Sequence, residues 1–193
     1  MKLSLLSLFL IVAAKAASVA AVDLGALASH TPYDAYMRPV RQVLNSLPGE
    51  KTSMQKVQTL MRVGKGFRYS YTDPYNAALP SVTAATKAGD CKAKALWLCD
   101  QIGEESVRYV IGKARRTSKI NQAWVMWQNE GRWWVLDPTN TSRPIPADQL
   151  GKSEYIPLYS WDKRGTYRHA STQMLTAEVA SANSPVASRT ARR

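Results

Sequence analysis

The sequence predicts an α+β fold in which a helix carrying a cysteine packs against an antiparallel β-sheet. Three observations predict it. Residues 89–103 run Gly-Asp-Cys through to Gly103, with Asp90 placed as helix cap, Cys91 first in the helix and Gly103 as its stop. After Gly103 the apolar period changes to two, giving strands over 106–112, 121–128 and 132–137. The last two strands are separated only by Asn129-Glu130-Gly131, which predicts a hairpin.

Taken in order, the chain opens with Lys2, then the apolar run at 3–14, then small residues at Ala14, Ala16, Ser18 and Ala20. This is the pattern of a signal peptide over residues 1–20, with cleavage before Ala21, and it places the protein outside the cytoplasm, periplasmic or secreted. No later run is long and apolar enough to cross a membrane. Residues 21–31 read as a loose leader, and 31–50 as a helical or irregular segment broken at Pro39 and stopped by Pro48-Gly49. Thr52 with Gln55 has the form of a capping box, and Met54, Val57, Leu60 and Met61 then recur at helical spacing as a core stripe. The aromatic, turn-rich stretch at 67–80 reads as a loop leading to the cysteine helix. Beyond residue 171 the chain is rich in Ala, Ser and Thr, which predicts a short helix at most and then a flexible basic tail. The organisation is therefore a signal peptide (1–20), an N-terminal segment (21–49), a main domain (50–170) and a tail (171–193).

The net charge is +12, and +10 once Lys2 and Lys15 leave with the leader. Such a chain favours anionic surroundings. Its basic residues do not interleave with aromatics as in a nucleic-acid module, and no nucleic-acid partner is predicted. Cys91 and Cys99 stand eight residues apart on one helix, about 12 Å by helical rise. That exceeds the span of a disulfide, so both thiols are predicted free. Cys99 reads as a buried hydrophobe. Cys91 sits where unpaired N–H groups and the helix dipole stabilise a thiolate, with Lys92 and Lys94 adding to the field.

A thiol nucleophile needs a base and a group to orient it. With the hairpin turn centred between residues 129 and 130, positions 122 and 137 fall opposite each other, which brings Gln122 to Asp137. Gln122, Trp124 and Met126 share one strand face, as do Trp133, Val135 and Asp137.

Gly-Asp-Cys at a helix start, then Asn-Gln-Ala-Trp-Val (121–125), Trp-Trp-Val-Leu-Asp-Pro-Thr (133–139) and the segment 155–167 together resemble the transglutaminase-like (papain-like) superfamily. More narrowly they resemble the bacterial transglutaminase-like cysteine proteinases, which are exported; the resemblance spans roughly residues 50–170. It implies a papain-like transglutaminase core and a Cys-His-Asp triad. Carried over, Cys91 is the nucleophile, Asp137 the orienting acid, and Gln122 stands in the place of the histidine. An amide does not titrate near neutral pH, so it cannot take and return a proton. Relatives often carry acidic residues straight after Gly-Asp-Cys, associated in some with calcium. Lys92 and Ala93 stand there in this chain, and neither metal nor cofactor is predicted.

Only His30 and His169 exist as alternative bases, and both read as surface residues. Two functions follow. One is a weakly active or inactive monomeric relative that binds a protein, peptide or cell-envelope polymer in the old cleft, with Tyr71, Trp124 and Trp133 as its aromatic lining. The other is an active thiol hydrolase or acyltransferase working on amide or isopeptide bonds through Cys91.

Overall fold

The computed structural model describes residues 22–71 and 76–171; the expected signal peptide and tail lie outside the described residues. In chain order the elements are β1 (Ala26–Leu27), α1 (Arg38–Ser46), α2 (Met54–Gly66), β2 (Arg68–Tyr69), α3 (Pro80–Thr86), β3 (Ala88–Gly89) and α4 (Cys91–Ile102). They continue with β4 (Val107–Arg115), β5 (Gln122–Asn129), β6 (Arg132–Leu136), β7 (Ile145–Pro146), β8 (Glu154–Trp161) and β9 (Thr166–Arg168). One seven-stranded sheet runs β1-β9-β8-β4-β5-β6-β7 with every neighbour antiparallel, while β2 and β3 form a small parallel pair. This is the α+β arrangement expected from the sequence, with the cysteine helix packed on the sheet.

The period-two pattern divides the sheet into two buried faces. Tyr109, Ile111, Ala123, Val125, Trp127 and Leu136 pack against Leu96, Leu98 and Cys99 of α4, with Val40 and Leu44 of α1 and Val57 and Met61 of α2 in the same core. On the other face Val110, Trp124, Met126 and Val135 form a second cluster, covered by Ile145, Leu150 and Tyr155. Being buried on both faces, β4 and β5 read as nearly continuous apolar runs.

Gly112 sits between these layers at a bulge in the β4–β8 ladder. A Cβ there would stand 2.2 Å from the Ile156 carbonyl oxygen and 2.6 Å from the Trp124 ring, so only hydrogen fits. The hairpin closes through Glu130 and Gly131, both at positive φ (51° and 75°), as a two-residue primed turn requires.

Several expectations are corrected. Residues 22–30 are not a loose leader: β1 pairs with β9, the Asp23 carboxylate accepts from Gly25 N at 2.8 Å and Ala170 N at 2.9 Å, and Arg108 Nη1 donates to Leu24 O at 2.6 Å. Pro39 does not break a helix but lies in the first turn of α1, where its missing N–H has no bond to lose. The cap of α2 is Ser53, whose Oγ accepts from Lys56 N, because Thr52 is committed elsewhere. Its hydroxyl donates to Ile102 O at 2.7 Å and its N–H donates to Glu104. The stretch expected as a loop contains β2, and the unforeseen α3 follows with Pro80 at its start.

Candidate active site

The head of α4 is held from both sides. Asp90 Oδ1 accepts from Ala93 N at 3.0 Å, and β3 immediately before it is pinned to β2, with Ser70 N donating to Gly89 O. This fixes Cys91, half-buried, against the start of β5, where the Ala123 N–H donates to the sulfur. The expected field at the thiol does not win. Burial pushes the Cys91 thiol above its ordinary range, Asp90 and Asp137 push the same way, and the Ala123 N–H and Lys92 only partly offset them. Burial is the larger cause, and both lysines have other partners. Lys92 pairs with Asp90 and lies 5.3 Å from the centre of the Tyr71 ring. Lys94 turns inward, donating from Nζ to Phe67 O at 2.6 Å, and burial pushes its ammonium below the usual lysine range.

Gln122 and Asp137 come together as expected, with Gln122 Nε2 lying 3.2 Å from each Asp137 carboxylate oxygen. The route differs. Asn129 pairs with Arg132 and Val125 with Leu136, so the turn centre is between residues 130 and 131. The slip moves each residue's partner by two positions, which preserves the face, and Asp137 reaches Gln122 diagonally from just beyond β6. Asp137 is fully buried and accepts from Thr139 N at 2.9 Å, Asn140 Nδ2 at 2.7 Å and Tyr155 Oη at 3.1 Å. Sequence reasoning missed Tyr155 and Asn140; the hydroxyl of Tyr155 comes from β8, and burial beside Asp137 pushes it well up.

Cys91 and Gln122 line one cleft of about 410 Å³, together with Tyr33, Tyr69, Tyr71, Lys92, Ile111, Ile120, Asn121 and Ala123. Tyr71 is thus at the cleft, but the two tryptophans expected beside it are not. Trp124 is completely buried and stacks edge-on with Tyr155 in the second core, because its strand face points away from α4. Trp133 lies over Arg108, 5.4 Å from ring centre to guanidinium, beside a separate small hollow.

Neither histidine lines the cleft. His30 is exposed, whereas His169 is no surface residue. Its Nε2 is 2.9 Å from Ser160 Oγ, and its Nδ1 is 3.5 Å from Asp23 without a hydrogen bond of its own. The order Ser-His-Asp is that of a triad, but Ser160 is sealed in the sheet at 0% exposure, out of reach of any substrate. Among the described residues no group of three or more His, Cys, Asp and Glu gathers as a metal-holding cluster.

No protein-family model and no curated protein matches this chain. Among solved structures it is similar to LapG of Legionella pneumophila, at 18% identity over 72% of this chain and 81% of that one, with a TM-score of 0.48. The calcium-bound form of that protein gives 17% identity over 66% and 74%, also at 0.48. A Cytophaga hutchinsonii protein provisionally described as a cysteine protease gives 15% over 67% and 56%, at 0.40. Resemblance at this level assigns no chemistry; that rests on the geometry around Cys91.

Proposed function

We propose that this is an exported protein with a transglutaminase-like thiol cleft whose general base is replaced by Gln122, leaving it weakly active or inactive as an acyl-transfer catalyst and able to bind a peptide or cell-envelope polymer. The observation that carries this reading is the Gln122 amide sitting on both oxygens of Asp137 at 3.2 Å, beside the cleft that Cys91 lines. A histidine in that place would give one ring nitrogen to Asp137 and offer the other to the thiol. The amide keeps the first contact, since its nitrogen donates to the carboxylate, but its remaining atom is a carbonyl oxygen that neither takes the thiol proton nor returns it to a leaving group. The thiol itself stays protonated near neutral pH, because burial outweighs the helix field. Residues 1–20 support export, and the aromatic wall of Tyr33, Tyr69 and Tyr71 supports retention of a ligand.

Alkylation of Cys91 across pH, in this protein and in Gln122→His, tests the reading. The parent is expected to react with a midpoint above the ordinary thiol value of about 8.5. Gln122→His is expected to lower that midpoint and to raise cleavage of an activated thiol-reactive ester by on the order of a hundredfold or more. A parent midpoint below neutrality, with ester turnover that the histidine does not improve, would establish an active thiol enzyme instead.

A further inference from the structure

Several polar groups of the Cys91 cleft are engaged with the protein, while three of its large apolar side chains face solvent. The Gln122 amide nitrogen is on Asp137, Lys92 is on Asp90, and Asn121 Nδ2 donates to the Tyr33 hydroxyl at 2.6 Å. Ile111 and Ala123 stand among the lining residues, and Tyr69, Tyr71 and Ile120 stand 54%, 64% and 77% exposed. Those three are among only eight large apolar side chains so exposed among the described residues, and they converge on a single concavity. Scattered apolar side chains on a surface need no explanation, but a cluster around a cleft marks a binding site.

Among the described lining residues of the cleft the charged side chain is basic. Lys92 lines the cleft with its ammonium already paired to Asp90, and Lys113 donates from Nζ to Lys119 O at 3.0 Å, which sets two further lysines next to Ile120. No carboxylate lines the cleft among the described residues. At about 410 Å³ the space suits one or two side chains with their backbone rather than a folded partner.

We infer that the cleft takes an extended acidic peptide through one large apolar side chain, which Tyr69, Tyr71 and Ile120 enclose while Lys113 and Lys119, beside Ile120, attract the flanking carboxylates. This rests on the reading of the cleft as a peptide site and adds what that peptide must be. The rings supply wide contact at low entropic cost, because each tyrosine has only two torsions to fix. The lysines discriminate by charge, and their share weakens with salt.

Three fluorescently labelled peptides separate the possibilities on the full chain by anisotropy: Glu-Glu-Phe-Glu-Glu, Lys-Lys-Phe-Lys-Lys and Glu-Glu-Ser-Glu-Glu. The first is expected to bind at least about tenfold more tightly than either of the others, and Tyr71→Ala and Ile120→Ser each to weaken it by roughly five- to tenfold. These side chains are exposed, and unchanged thermal melts of the variants will show that folding is intact. Equal binding of the serine peptide, or preference for the lysine peptide, would overturn the inference and leave the cleft a peptide site of other chemistry. If no peptide binds, or if binding ignores both substitutions and a bulky maleimide on Cys91, the inference and the peptide-cleft reading fail together.

Discussion

Replacing Asp137 by alanine removes the acceptor around which one end of the sheet is organised. Its carboxylate takes hydrogen bonds from Gln122 Nε2, Thr139 N, Asn140 N and Nδ2, and the Tyr155 hydroxyl. Gln122 and Asn140 reach solvent and can turn to water, and the Asn140 N–H retains the Asp137 carbonyl oxygen. The Thr139 N–H and the Tyr155 O–H, on half-buried residues, are the donors that lose their acceptor. At roughly 1–3 kcal/mol for each stranded donor, Asp137→Ala should cost about 2–6 kcal/mol. Native stability is only about 5–15 kcal/mol, so this is a large share of it. With a urea slope of about 1–3 kcal/mol/M, the unfolding midpoint should fall by roughly 1 M or more. Asp137→Asn keeps one acceptor oxygen but sets an amide NH2 against the same donors, and should fall between the parent and alanine. Equilibrium urea unfolding followed by tryptophan fluorescence measures all three proteins. A midpoint for Asp137→Ala within about 0.3 M of the parent would refute this account of the shell, because no stranded donor costs so little.

Gly112→Ala forces a Cβ into the Ile156 carbonyl and the Trp124 ring, and is expected to cost about 2–3 kcal/mol, roughly 5–10 °C in Tm, with a changed near-ultraviolet dichroism from Trp124. Native alkylation followed by mass spectrometry is expected to label Cys91 and spare Cys99, which is completely buried and whose thiol burial pushes far up. Burial also holds His169 below its ordinary value near 6.5, outweighing the opposite pull of Asp23, with Arg108 adding to the depression. The folded protein therefore binds fewer protons here than the unfolded chain, so this contribution is complete above about pH 6.5 and is lost as the pH falls below it. Melts from pH 8 to pH 5 should show that loss, and His169→Gln should flatten it; an unchanged slope in the variant would assign the acid sensitivity elsewhere.

The parts of this fold legible in the sequence are those whose signals are local. Asp90 and Gly103 bracket α4 because a cap and a left-handed stop act within one turn, and both stand where expected. The hairpin is equally local, and the misplaced turn centre does little harm because a slip of two residues leaves every side chain on its own face. What could not be read depends on contacts between distant segments. The pairing of β1 with β9 joins residues about 140 positions apart and is carried by two-residue strands with no periodicity to detect. Trp124 looked like cleft lining because the sequence gives two faces and not which of them meets α4. The helix and its lysines predict a thiolate-stabilising field at Cys91, but Lys92 is paired with Asp90, Lys94 is held by a backbone carbonyl, and burial against β5 outweighs what remains. The Gln122–Asp137 contact was within reach of the sequence; Tyr155, arriving from β8, was not.

Both margins of the seven-stranded sheet are two residues long: Ala26–Leu27 on one side, and on the other Ile145–Pro146, whose proline has no N–H to offer. A neighbouring molecule seeking to extend the ladder meets almost no row of open donors and acceptors at either border. The long central strands, apolar on both faces and well suited to cross-β stacking if bared, are thereby kept from serving as templates for aggregation while the fold persists.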